Sequence, residues 1–386
     1  MMPSLILVSL ALFTWGIGEG LFLYFVPIYM QQLGATPLWI GSIFGGFALM
    51  MMVAHIPAGY LSDRLGRRPL LVVAWVSGLV AAIVMALANS LSIFVVGYLL
   101  YGLTGFVSSP LFSYVTAARG RFTVGRAMTL VSAMYNMGAV LGPISGGWIG
   151  DHYSIRTIFY VSSGVFVVST ILILFLRPQP RDEQDDTEAR SNLFSNTRFL
   201  TFLGVVFLTN FVMFLPQPLT PNFLQNERGI SLSQMGMVGS VGSLGNVVLN
   251  LTLGQLNARF GFLLAQVVVG IGVVSLWRGI GLPWYALGYF LLGGYRAARM
   301  LVFAQIRWLI HQAQMGLAYG ISEAVSALST ILAPLLAGYL YERNPASIYT
   351  LDLLLIGFAF IISLIFAPHE SQPTSKTIPK QGSDYA

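Results

Sequence analysis

The sequence predicts an all-α membrane protein with twelve transmembrane helices in two pseudo-symmetric six-helix bundles. Three observations carry this. Of 386 residues, 56% are hydrophobic and only 9% are charged, whereas soluble domains carry roughly 25% charged residues. The apolar residues fall in long runs, each near the about 20 residues that span a bilayer as a helix. The chain also repeats its landmarks at offsets of 191 to 195 residues.

Taken in order, the segments are approximately 4–30, 38–62, 69–89, 91–118, 126–150, 155–177, 199–225, 232–257, 261–281, 283–309, 314–341 and 347–367. The first follows Met1-Met2-Pro3-Ser4 without a basic region and is too long for a signal peptide, so it reads as a retained helix. Connections are mostly a few residues long. The exception is 178–197, where Asp182, Glu183, Asp185, Asp186 and Glu188 mix with Arg181 and Arg190. It reads as a solvated cytoplasmic linker between an N-terminal bundle, 1–177, and a C-terminal bundle, 198–368. Residues 369–386 form a polar tail, expected to be disordered and cytoplasmic.

The two bundles answer each other. Gly97-Tyr-Leu-Leu-Tyr-Gly102 in the fourth span recurs as Gly288-Tyr-Phe-Leu-Leu-Gly293 in the tenth. Pro143 and Gly147 in the fifth span match Pro334 and Gly338 in the eleventh, and Pro27 and Gln31 match Pro221 and Gln225. Repeats of this kind put a substrate site near the midplane between halves.

Composition excludes several classes. There is no cysteine, hence no disulfide, thiolate metal site or cysteine nucleophile. The only lysines, Lys376 and Lys380, lie in the tail, so no Gly-x-x-x-x-Gly-Lys-Ser/Thr phosphate loop exists. No enzyme activity, cofactor, metal or nucleic-acid partner is expected. The net charge of +6 reflects topology. With both termini cytoplasmic, fourteen Arg and Lys fall inside and four outside (Arg156, Arg228, Arg278 and Arg343). That asymmetry sets orientation. The expected location is the cell (inner) membrane, multi-pass, as a monomer in the lipid bilayer.

The densest charge lies between the second and third spans, in Gly59-Tyr-Leu-Ser-Asp-Arg-Leu-Gly-Arg-Arg-Pro-Leu70. This stretch resembles the signature loop of the major facilitator superfamily, Gly-x-Leu-x-Asp-Arg-x-Gly-Arg-Arg/Lys. Gly59, Leu61, Asp63, Arg64, Gly66, Arg67 and Arg68 match in register. By the resemblance these are gating residues, with Asp63 against the cytoplasmic start of the eleventh helix. The C-terminal copy, Gly254 to Gly261, carries Ala258 in place of the acidic residue. The fifth span, Gly138-x-x-x-Gly142-Pro143-x-x-Gly146-Gly147, is similar to the fifth-helix motif of the drug:proton antiporter branch. Glycines four apart let helices approach closely, and Pro143 removes a backbone hydrogen bond. One departure stands out. Those antiporters carry Arg-x-x-Gln-Gly in the fourth helix, where this chain has Tyr98-Leu99-Leu100-Tyr101-Gly102. Arg296 and Arg299, in the repeat-related tenth span, are candidates to take over that role.

Ionisable side chains inside a bilayer cost several kcal/mol or more and are functional candidates by default. Here they are Glu19, His55, Arg296, Arg299 and Glu323; Asp352 is expected at the interface. Glu19 lies near mid-depth in the first span, with Trp15 and Phe22 at helical spacing. It reads as a proton carrier or substrate contact, against a structural hydrogen bond. Arg296 is expected to touch substrate or Glu19. Arg299 and Glu323 are expected to pair, either as a static ion pair or as a switch released when Glu323 takes a proton or an anionic substrate takes Arg299. His55 reads as a proton relay or a plain hydrogen-bonded histidine. Asn136, Asn210 beside Phe214, and Asn246 are further candidates to line the cavity.

The resulting expectation is a proton-coupled efflux antiporter of a small amphipathic or hydrophobic organic solute, working by alternating access. A symporter of an organic anion, a lipid or glycolipid flippase, and a non-transporting receptor on the same fold are the competing readings.

Overall fold

A computed structural model of the chain describes residues 2–178, 196–310 and 315–368; of residues 2, 3, 55–65, 109, 125 and 316 it describes only the backbone. The expected disordered tail, and the linker between 179 and 195, lie outside the described residues. In hydrocarbon a backbone must bond to itself, and the described elements are all helical. In chain order they are α1 (Met2–Leu23), α2 (Val26–Gln32), α3 (Pro37–Leu65), α4 (Arg67–Leu87), α5 (Leu91–Leu103), a 3₁₀ turn (Thr104–Val107), α6 (Ser108–Ala118), α7 (Val124–His152), α8 (Ile155–Leu174), α9 (Thr197–Phe214), α10 (Thr220–Asn226), α11 (Leu232–Leu253), α12 (Ala258–Arg278), α13 (Leu282–Leu292), α14 (Gly294–Ile306), α15 (Met315–Arg343) and α16 (Ser347–Phe366).

Ten of these helices are long and apolar enough to cross a membrane, and the bent α5–α6 pair makes an eleventh. The remaining predicted span, 283–309, is α13 and α14, interrupted at Gly293 and carrying Arg296 and Arg299.

Four predicted spans prove to be broken rather than continuous: the first, fourth, seventh and tenth. Two of the breaks have a proline cause. Pro27 and Pro221 sit in the first turns of α2 and α10, where a missing N–H costs nothing but cannot serve a preceding helix. The broken spans recur every third helix, as expected for three-helix repeats nested in each half.

Helices α1 to α8 pack among themselves, as do α9 to α16, and the halves meet along α3–α15, α7–α11 and α2–α10. The repeat-related Pro143 and Pro334 hold equivalent places. A methyl group on Gly236 of α11 would overlap the Pro143 carbonyl, and one on Gly41 of α3 would overlap the Pro334 carbonyl. Backbone therefore touches backbone at both seams. Arg68 of the signature loop donates to the Leu174 carbonyl at 3.1 Å, closing the end of α8. In the C-terminal copy of that loop, Arg259 makes the equivalent contact, donating to the Leu364 carbonyl of α16. Cations suit these helix C-termini.

Candidate functional site

The side on which α8 ends and α9 begins is called the linker side. Near mid-depth, α1, α7, α11 and α14 enclose a cavity of about 30 Å³ lined by Glu19, Tyr24, Tyr135, Asn136, Ser243, Asn246 and Arg296, among others. Such a volume holds about two waters. Tyr135 Oη donates to Glu19 Oε2 at 2.8 Å. That contact follows from the close α1–α7 seam, where Gly16 lies against the Tyr135 carbonyl. Glu19 is half-buried, while Arg296 is exposed toward the cavity. The Arg296 side chain makes no hydrogen bond or ion pair among the described residues, although Glu19 lies within its electrostatic reach. Tyr24 Oη and Ser243 Oγ approach to 3.3 Å, joining the halves just beyond the end of α1.

A larger cavity of about 700 Å³ opens toward the linker side, between Ser108 and Phe112 of α6, Phe303 of α14, and Tyr319, Gly320 and Glu323 of α15. This is within the ~300–1,000 Å³ typical of small-molecule pockets. Arg299 and Glu323 meet at its wall with an Nη2–Oε2 distance of 2.7 Å, the pair that the sequence suggested.

The opposite side is shut. Asp151, in the last turn of α7, accepts the backbone N–H of Leu232 at 3.0 Å and of Ser233 at 2.8 Å, capping α11 of the other half. Ser240 Oγ donates to the Val140 carbonyl at 2.6 Å along the same seam. Between α10 and α2, Asn222 Nδ2 donates to Gln31 Oε1 at 2.6 Å and to the Pro27 carbonyl at 3.1 Å.

Glu19, Arg296, Asn136 and Asn246 therefore converge on one cavity. Trp15 lies beside Glu19 but is buried, packed against Trp75 and Phe166 at centroid distances of 5.0 and 4.5 Å. Phe22 is fully buried in the same aromatic core, against Tyr101 and Phe159. It faces away from the cavity because α1 turns that side toward α5 and α8. Asn210 is also buried, donating to Ser326 Oγ at 2.8 Å, and Phe214 packs on Tyr295. Asp352, near the start of α16, is fully buried within the protein, and neither carboxyl oxygen has a partner among the described residues. Gly142 of the fifth-span motif, which with Pro143 is also expected to serve gating, lies against Gly20 of α1, and the signature-loop residues Gly66 and Arg67 lie where α3 passes into α4. The side chains of His55, Gly59, Asp63 and Arg64 lie outside the described residues. Tyr24, Tyr135, Ser243 and Asp151 escaped sequence reasoning. Only Asp151 left a trace there, as a carboxylate at a span end ahead of Ser231-x-x-Gln234, which forms a capping box.

The family model of the Major Facilitator Superfamily matches residues 8–298 and, in an overlapping second match, 202–384. The multidrug resistance protein MdtG of Escherichia fergusonii is 26% identical over 309 residues, covering 75% of this chain and 76% of that protein. The uncharacterized MFS-type transporter MJ1560 of Methanocaldococcus jannaschii is 26% identical over 275 residues, covering 68% and 70%. Among solved structures, a mutant form of the nucleoside transporter NupG superposes with a TM-score of 0.82 at 14% identity, covering 94% of this chain and 98% of that one. A bacterial homolog of the human lysosomal transporter Spinster gives a TM-score of 0.70 at 13% identity, covering 94% of both. Repeat symmetry, a polar midplane cavity between two helical halves, and a family match over nearly the whole chain agree: the chain belongs to the Major Facilitator Superfamily.

Proposed function

We propose that the chain is a proton-coupled efflux antiporter of a small organic solute, with both termini cytoplasmic in the cell (inner) membrane. The observation that carries this is Glu19, a half-buried carboxyl at the polar cavity near mid-depth. A charged Glu19 attracts a cationic group, and a proton on Glu19 removes that attraction. Proton and solute then exclude each other, which is the condition for antiport. The groups near Glu19 are Tyr135 of α7, Tyr101 of α5, Arg296 of α14, and Trp15 of its own helix. In this reading, the open linker side is the cytoplasmic entrance, and the α7–α11 and α3–α15 seams form the closed exit. The MdtG relatives, named for multidrug resistance, support a broad substrate range. Arg299 and Glu323 line the entrance and tune entry.

Arg296 favours one second reading, symport of an organic anion. There, proton and anion bind together, so acid strengthens binding instead of weakening it. Everted, acid-loaded vesicles containing the protein decide. A cationic dye is expected to alkalinise the lumen, and Glu19→Gln is expected to lose gradient-driven dye movement and the pH dependence of binding. Unchanged pH dependence in Glu19→Gln would reject the carboxyl as the coupling group.

A further inference from the structure

Resting on the antiport reading, we infer that the preferred solute is a zwitterion, whose ammonium group meets Glu19 and whose carboxylate meets Arg296. Glu19 belongs to the N-terminal half and Arg296 to the C-terminal half, yet both line one cavity without forming an ion pair. A guanidinium offers five N–H donors in a planar fork, and those of Arg296 have no partner among the described residues. The group that suits such a fork is a carboxylate held by two parallel hydrogen bonds. A simple cation at Glu19 would be repelled by the nearby Arg296. A simple anion at Arg296 would be repelled by Glu19 unless the latter were protonated. A molecule carrying both charges satisfies both residues, and it bridges the two halves where a singly charged one binds a single half. The remaining lining is neutral and hydrogen-bonding: Asn136, Asn246, Ser243 and the phenols of Tyr24 and Tyr135. Proton exchange stays with the ammonium end, so antiport is kept. The carboxylate end supplies orientation and draws the halves together.

The test measures binding to the purified full-length protein by calorimetry at neutral pH. The probes are 3- and 4-(aminomethyl)benzoate, their methyl esters, which are cations, and their N-acetyl derivatives, which are anions. These two zwitterions hold their charges at different fixed separations. At least one is expected to bind about tenfold or more tightly than both of its derivatives, the scale of one charged hydrogen-bonded contact. Arg296→Gln is expected to erase the advantage over the ester, and Glu19→Gln the advantage over the N-acetyl form. The proposal is overturned if, for both isomers, the ester or the N-acetyl form binds as well as its parent. Absence of binding by all six also overturns it. If gradient-driven movement of the cationic dye survives any of these results, the antiport reading stands while the zwitterion reading falls. If dye movement fails as well, both fall.

Discussion

Asp352 shows how little a residue's position along a span says about its surroundings. It lies in the second turn of α16, close enough to the end to read as interfacial, yet its side chain is fully buried within the protein. A buried carboxyl with no partner costs more than the hydrophobic group that could replace it. Asp352→Leu is therefore expected to leave the detergent melting temperature unchanged or to raise it. A drop of more than about 5 °C, which corresponds to roughly 1 kcal/mol or more, would reveal a partner essential to the fold. Trp15 and Phe22 teach the same lesson from the apolar side. Their spacing from Glu19 is right for one helix face, but that face is wide. Its aromatic part packs against α4, α5 and α8 while the carboxyl turns to the cavity.

Between elements, the Arg299–Glu323 pair joins α14 to α15 at the wall of the larger cavity. Both side chains are partly solvated, at 29% and 48% exposure, so the pair adds only about 0–1 kcal/mol to stability. Its loss should thus be felt in transport rather than in folding. Arg299→Glu and Glu323→Arg are each expected to lower transport several-fold with melting temperatures within about 2 °C of the parent. Combining the two should restore most of the rate. If neither single change slows transport, the pair has no part in the mechanism. This pair was legible in the sequence because hydrocarbon makes isolated charges expensive. Tyr135 and Tyr24 were not, because a tyrosine in an apolar helix is common and its hydroxyl acquires a partner only through packing.

Across the molecule as a whole, closure of one side rests on backbone touching backbone and on the Asp151 cap. Removing an N-terminal cap costs about 1 kcal/mol, or roughly fivefold in a two-state population. Asp151→Ala is accordingly expected to shift the protein toward states open on the side away from the linker. Because the chain has no cysteine, spin labels can be placed cleanly at Tyr153→Cys and Glu227→Cys, both exposed on that side. The distance distribution between them should gain a longer component in Asp151→Ala. An unchanged distribution would show that the glycine seams alone hold the side shut. A valine in place of Gly236 would act more severely, since its side chain would displace the Pro143 carbonyl and force α7 from α11.

The membrane-spanning class, the two-half repeat, the family and the few charges placed within the spans were all legible in the linear chain. They follow from one-dimensional facts: run length, spacing and the cost of charge in hydrocarbon. Which faces meet was settled only by folding. Packing sent Trp15 and Phe22 into the core, sealed Asp352 away, and set Glu19 opposite an Arg296 from the other half whose side chain has no partner among the described residues. These outcomes depend on helix rotation and on contacts between residues more than a hundred positions apart, and no local pattern encodes either.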